Sequence, residues 1–398
     1  MASSQASRSR EFMASSNSIL YALIIVVLLI GVGVDALLIG VAVGSFGKAR
    51  GEDFVSKDVY DDLKAEFDTT KDELAAAQAE VAELTKPKKV GLILATGGLG
   101  DKSFNDISLA GVQRAKDELG IEFDYVEPKA IAEYEGFQRD FAKTGDYMII
   151  ICVGFDQAEA LDKIAGEYPE QNFAIVDMVV DRPIVASLLF KANEGSFLVG
   201  VVAGMTTTTG KVGFVGGMDI PLIRDFFIGY EAGAKWANPG ITVLDPVFVG
   251  GWADPTRGKE LALGLSELGG DAIFVAAGKS GLGSLEAVHE KEILGFGVDA
   301  CQCYLHPEII ASMTKRVDIA VYETTLSVLL GTFEGGFYSG GVKEKWTGLC
   351  RLRLPEEEAF WEAMFSFEHD PLPMGVRNKL NEARDGIVSG DIVVPGAF

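Results

Sequence analysis

Three hydrophobic patterns follow one another along the chain, and each predicts a different kind of element. From Ile19 to Phe46 the positions are apolar almost without break (ILYALIIVVLLIGVGVDALLIGVAVGSF), with Asp35 as the one charge. At 1.5 Å per residue this run crosses a hydrocarbon core of about 30 Å. It predicts a transmembrane anchor over 19–46 behind an N-terminal flank of residues 1–18. The run exceeds the apolar region of a secretory leader, which favours an uncleaved signal anchor, and no cysteine stands beside it to carry a lipid. Arg8 and Arg10 on one flank and Lys48 and Arg50 on the other leave its orientation open.

A seven-residue period comes next. Tyr60, Phe67, Leu74 and Val81 share one register position, and Leu63, Thr70, Ala77 and Leu84 lie three residues later. This a/d seam, set among Asp, Glu, Lys, Ala and Gln and closed by Pro87, predicts a helical stalk over 52–86. The seam offers a coiled-coil contact for a homo-oligomer. The alternative is one amphipathic helix lying on its own domain.

From Lys88 onward short apolar runs alternate with helical patterns. Strands are expected at Lys89 to Ala95, Tyr147 to Val153, Phe173 to Val176, Val212 to Val215, Thr242 to Val249, Ala272 to Ala276 and Leu294 to Val298. Helices are expected between them, among others at Ser103 to Leu119, from Gln157, and at Glu194 to Met205. That alternation implies parallel sheets built from right-handed βαβ units. About 300 residues of it exceed one sheet, so the fold class is α/β with two doubly wound lobes over 88–398 and a cleft between them. The stretch Thr206 to Lys211 (TTTTGK) is read as the lobe boundary, with the chain recrossing after about residue 320.

Composition narrows the chemistry. The 398 residues carry 35 basic and 58 acidic side chains, a net charge of −23, which leaves little material for a basic face and disfavours nucleic acid as a partner. Four cysteines, Cys152, Cys301, Cys303 and Cys350, are too few for a disulfide scaffold and lack zinc spacing. Cys303 with Cys350 is the candidate bridge, against a default of buried thiols. Neither GGLGDKS at Gly97 nor AAGKSGLG at Ala276 fits a phosphate-cradling glycine motif. The three histidines, His289, His306 and His369, form no metalloprotease motif, and no nucleophile elbow occurs. No enzyme activity, cofactor or metal is therefore expected.

What remains is a set of polar and aromatic residues just after strand ends. GGLGDKSFN from Gly97, VGF from Val153, FAIVD from Phe173 and GKVGFVGGMDIPLIRDFFIGYEAGAKWANP from Gly210 follow in order. AAGKSGLG, GVDACQ from Gly297 and SMTKRVD from Ser312 complete the series. In these motifs the chain resembles the basic membrane protein family, the purine nucleoside receptor type of substrate-binding protein serving ABC transporters. The similarity runs from about Lys88 to the C-terminus and leaves out the anchor and stalk.

The resemblance implies a two-lobed, type I periplasmic-binding fold that closes on a nucleoside and presents it to an ABC permease. It places the two aromatic rings that sandwich the base on Phe104 and Phe226, and ribose contacts on Asn105, Asp299 and Lys315. Gly278 would let backbone approach the sugar, and Asp156 or Glu159 would meet the base edge. Base stacking on an aromatic contributes about 1–3 kcal/mol, which suits the two rings. Other readings remain for each residue: core packing for the two phenylalanines, turn capping for Asp299, a solvated charge for Lys315, and helix capping for Asp156 and Glu159. Trp252 is either cleft lining or a structural tryptophan. The chain departs from the family pattern at Ala95 and Cys301, where an Asp is common, so the ligand is open to another base or a smaller sugar-like molecule. The expectation is a membrane-anchored, extracytoplasmic solute trap. The alternative is an oligomeric surface or sensory protein on the same fold.

Overall fold

The computed structural model describes residues 88–350 and 372–397, together with residues 62, 64, 65, 68, 69, 71–73 and 75. The expected anchor at 19–46 and the a/d positions of the stalk lie outside the described residues. Those described between 62 and 75 are helical and exposed, and all stand at polar or small positions between the a/d sites. No helix among the described residues is long and apolar enough to cross a membrane. Lys88–Phe398 forms a compact unit of its own.

Its first sheet contains β1 (Lys89–Ile93), β2 (Glu122–Val126), β3 (Ile149–Val153), β4 (Phe173–Val176), β5 (Val185–Phe190) and a late strand, β12 (Gly336–Gly340). The order is β12-β5-β4-β3-β1-β2, parallel throughout. β3 and β4 are buried at every position, as strands covered on both faces must be. Helices α1 (Phe104–Leu119), α2 (Tyr134–Thr144) and α3 (Ala158–Glu167) connect them.

The second sheet repeats the plan. Strands β6 (Lys211–Gly216), β7 (Thr242–Val243), β8 (Val247–Phe248), β9 (Ala272–Ala276), β10 (Leu294–Gly297), β11 (Ile309–Lys315) and β13 (Thr347–Leu349) form it in the order β13-β11-β10-β9-β6-β7, with β8 also on β6. Only β13 is antiparallel within it. The expected single strand Thr242 to Val249 is two short ones, because Pro246 has no N–H to donate to a ladder. Helices α4 (Ala192–Thr206), α5 (Pro221–Ala237), α6 (Pro255–Glu267), α7 (Gly278–Glu290), α8 (Val317–Leu329) and α9 (Met374–Ser389) complete the unit. α4, α5 and α9 pack together, as do α6 and α7, while α8 lies on α1 of the first lobe.

The passage between lobes differs from the expectation at Thr206 to Lys211. β5 ends in the first sheet at Phe190, and α4 already packs on α5 and β11 of the second. The threonine run instead wraps the Asp271 carboxylate, which accepts from the backbone N–H of Thr208 at 2.7 Å and of Thr209 at 2.9 Å. It is an α4–β6 turn within one lobe. Three segments cross: Lys191, Arg316 and the stretch from Gly341 to Trp346. They are tied to one another by backbone bonds from Lys191 N–H to the Gly340 carbonyl (2.9 Å) and from Arg316 N–H to the Trp346 carbonyl (2.8 Å).

Cysteine pairing also departs from the sequence reading. Cys301 bonds Cys350, with Cα atoms 5.4 Å apart. The antiparallel pairing of β13 with β11 brings the Cys350 N–H to the Ser312 carbonyl and lays its side chain against position 301. Cys303 Sγ lies 3.6 Å from Cys350 Sγ.

Candidate functional site

In both sheets the strand after the first helix flanks the first strand on one side and the third strand takes the other side, which opens a crevice at the carboxyl ends of the central strands. The two crevices face each other across one cavity lined by residues of both lobes.

The first lobe supplies its wall from the turns after β1, β3 and β4. After β1, Ala95 and the glycine turn lead to α1, whose N-terminus is held by Asp101: its carboxylate accepts from the backbone N–H groups of Ser103 (2.9 Å), Asn105 (2.8 Å) and Asp106 (3.2 Å). Asp101 also takes the Asn105 side-chain amide at 3.1 Å, while Asn105 Oδ1 accepts from the Ala95 N–H at 2.9 Å. Asn105 is thereby locked in the wall, beside Phe104 as the first residue of α1. Burial pushes the Asp101 carboxyl up, against the pull of those N–H donors.

After β3, Gly154 and Phe155 lead to Asp156, which accepts from the Tyr134 hydroxyl at 3.2 Å. The same hydroxyl accepts from the Thr96 N–H at 3.0 Å, joining the first two turns. Burial raises the Asp156 carboxyl and, together with the Asp156 charge, keeps the Tyr134 phenol protonated.

The second lobe contributes α5, which begins at Pro221 and carries Leu222, Ile223 and Phe226 into the wall. Trp252 packs against Gly217, where a Cβ would sit 2.3 Å from its ring. It is thus both packed and cleft-lining, which resolves the two readings into one. Gly278, at φ +54°, starts α7 at the same edge.

The centre of the cavity is ionic. Lys315, at the end of β11, and Asp177, just after β4, form an ion pair across the lobes, with side chains 3% and 5% exposed. Lys315 Nζ stands 4.8 Å from the Phe104 ring centre, 5.1 Å from Phe190 and 5.9 Å from Phe226. The two expected sandwich rings thus converge on one point from opposite lobes. Asp299 follows β10 at φ +63°, and its carboxyl is pushed up to about 7: burial dominates, Lys315 opposes, and Asp177 and Asp101 add to the rise. Asp177 is also left-handed, at φ +70°. Aspartate tolerates this backbone better than most residues, and it turns the chain sharply at both strand ends.

Eight of the nine sequence-derived candidates, Phe104, Asn105, Asp156, Phe226, Trp252, Gly278, Asp299 and Lys315, line this cavity. Glu159 does not; it is exposed on the first turn of α3. Reasoning from sequence passed over Asp101, Asp177 and Lys279, which also line it, although Asp177 ends the FAIVD motif and Asp101 stands inside GGLGDKSFN. The sulfurs of Cys301, Cys303 and Cys350 lie within 4.8 Å of one another, a grouping with soft-metal donor chemistry, but the disulfide takes two of them out of thiolate form.

Residues 88–370 match the family described as ABC transporter substrate-binding protein PnrA-like. An uncharacterized lipoprotein of Pyrococcus abyssi is 35% identical over 284 residues, which cover 67% of this chain and 70% of that protein. Basic membrane protein A of Borreliella burgdorferi is 34% identical over 322 residues, covering 77% of this chain and 87% of its own. Among solved structures, an ABC transporter system solute-binding protein from Aeropyrum pernix K1 superposes with a TM-score of 0.68 at 32% identity, covering 78% of this chain and 94% of that one.

Proposed function

The chain belongs to the PnrA-like family of ABC transporter substrate-binding proteins, and from that premise we propose that it captures a nucleoside, of the purine class, and delivers it to an ABC permease. The observation that carries this reading is the convergence of Phe104 and Phe226, from opposite lobes, on a buried cavity with Asp299 and Lys315. A base has two π-faces and suits two rings; a ribose offers adjacent hydroxyls and suits a carboxylate beside an ammonium. Asp156, also in the lining, offers an acceptor for a donor on the base edge. Four carboxylates, Asp101, Asp156, Asp177 and Asp299, face two ammonium groups, Lys279 and Lys315, so a phosphate would meet like charge in a low-dielectric space. The reading is therefore of a nucleoside trap that rejects nucleotides.

Capture needs no covalent step. Solute enters between open lobes, rotation at the three crossing segments closes them, and the closed form is the one a permease reads. The names of the Pyrococcus and Borreliella relatives, a lipoprotein and a membrane protein, support a tethered, extracytoplasmic place. In this chain the tether is read as Ile19 to Phe46, with residues 52–86 as the spacer.

Isothermal titration of the full chain with inosine, guanosine, adenosine and uridine tests the proposal. Sub-micromolar binding of a purine nucleoside that is lost in Phe104→Ala, with the 5′-monophosphates inert, is the expected result. A folded, ligand-free protein that binds none of the four would remove the nucleoside and leave only the family's scaffold.

A further inference from the structure

We propose that Asp177 is a binding and specificity-determining residue for the ligand's sugar, supplying from the first lobe a second carboxylate beside the one that Asp299 supplies from the loop after β10. The inference rests on the nucleoside reading and goes beyond it by assigning one hydroxyl to one oxygen.

The starting observation is an unsatisfied atom. Asp177 Oδ2 is taken by the Lys315 ammonium, but Oδ1 is buried and has no hydrogen-bond partner among the described residues. Four buried side-chain atoms among those residues share that condition, on Ser103, Gln138, Asp177 and Ser196, and only Asp177 belongs to the cavity wall. It is also the only one with a formal charge. A buried acceptor without a donor costs about 1–3 kcal/mol, more when charged, so an incoming donor is strongly favoured there.

The surroundings determine what that donor is. Lys315 Nζ has three protons and gives one direction to Asp177, while the Lys315 backbone N–H donates to the Asp299 carbonyl at 2.9 Å and both side chains line the cavity, so the ammonium has protons left for a ligand near the two aspartates. A hydroxyl is both donor and acceptor. It can give its proton to a carboxylate oxygen and take one from the ammonium, and two neighbouring hydroxyls can do so on the two sides of Lys315. Asp299 serves one and Asp177 Oδ1 the other. The pair of phenylalanine rings around Lys315 Nζ places the base next to this point.

Two features of the chain fit this division. Cys301 occupies the position two residues after Asp299 and is committed to Cys350, so the β10 loop offers one carboxylate to the cavity. Asp177 follows β4 in the opposite lobe, and a sugar held by Asp177 and Asp299 together would bridge the lobes and favour the closed form.

The test uses the full chain and the ribonucleoside that binds best, with its 2′-deoxy, 3′-deoxy and 5′-deoxy forms, against wild type and Asp177→Asn. Wild type should bind two of the deoxy forms about tenfold or more weakly than the ribonucleoside, one for the hydroxyl on Asp299 and one for that on Asp177. In Asp177→Asn the ribonucleoside should weaken about tenfold while one of those two deoxy forms binds as it does to wild type, so the preference over that form collapses and the preference over the other stays. Equal weakening for all four ligands would mean that Asp177 only positions Lys315 and would overturn the assignment. So would a wild type indifferent to all three deoxy substitutions, an outcome that needs no variant to fold. A wild type that binds no ribonucleoside would sink the nucleoside reading as well, which separates the two failures.

Discussion

Asp299 serves two opposed demands. Its carboxyl, raised by burial from the ordinary 3.8 to about 7, is tolerated best in the folded protein when protonated. Its contribution to stability is whole below 3.8 and is lost as pH rises toward about 7, at about 1.4 kcal/mol per unit. Asp299→Asn removes that cost and keeps a side chain that tolerates the left-handed backbone. It should melt above wild type at pH 8, with the gap closing as pH falls, in differential scanning calorimetry at both pH values. Ligand binding runs the other way, because only the charged form accepts from a hydroxyl without a proton of its own in the way. Nucleoside affinity of wild type should rise with pH through about 7, and Asp299→Asn should bind weakly with no such slope. For the rings the expectation is simpler: Phe104→Ala and Phe226→Ala should each weaken binding by roughly ten- to a hundredfold, from a stacking contribution of about 1–3 kcal/mol. Asp299, Lys315 and both rings were legible from motif resemblance. Asp177 was not singled out, because its significance comes from an oxygen left without a donor, and that depends on which groups of the other lobe reach it.

At the scale of elements, glycine matters most where α4 meets α5. A Cβ on Gly233 would sit 2.0 Å from the Phe197 carbonyl oxygen, one on Gly200 would sit 2.1 Å from that of Tyr230, and one on Gly229 would sit 2.2 Å from that of Asn193. The two helices are in backbone contact. By intrinsic propensity Gly233→Ala would gain about 1 kcal/mol in a helix interior. Overpacking reverses the sign, and the variant should lose at least about 2 kcal/mol, read as a lower urea midpoint. The disulfide is a second device at this scale. It closes a sequence separation of 49 residues and pins the short β13 to the site-bearing sheet. Cys350→Ser, which removes both available pairings, should cost about 2–4 kcal/mol, and reducing the wild type should produce the same shift. Helix and strand positions were largely readable from periodicity, since burial on two faces imposes it. Short edge pieces such as β7, β8 and β13 were not, because a two- or three-residue strand is defined by its neighbour rather than by its own pattern.

The unit Lys88–Phe398 is two sheets of one topology facing each other, with contacts already spanning the cleft. Gln302 Nε2 donates to the Lys102 carbonyl at 3.2 Å, the Lys315–Asp177 pair joins the lobes, and a Cβ on Gly97 would lie 3.5 Å from the Trp252 Cβ. A side chain at Gly97 would press on Asn105 of its own lobe, 3.3 Å from the Cβ, as well as on Trp252 of the other. Gly97→Leu should lower nucleoside affinity tenfold or more while the ligand-free melting temperature stays near wild type; an unchanged affinity would show that the lobes need not approach this closely. The crossing segments at Lys191, Arg316 and Gly341 to Trp346 are tied to one another by backbone hydrogen bonds.

The amino-acid sequence alone determined what local physics encodes: buried strands from continuous apolar runs, helices from their period, glycine turns after strand ends, and residues whose order marks a family. Those features rest on neighbours within a few positions or on motif order, so a linear reading reaches them. The tertiary structure decided which segments cross between lobes, which sulfur Cys350 takes, that Glu159 points away from the cavity, and that Asp177 belongs to it. Each of these is an adjacency between distant residues; Lys315 and Asp177 are 138 positions apart. Such pairs become neighbours only when the strand ends of two sheets face each other across the same cleft, and no local pattern records that meeting.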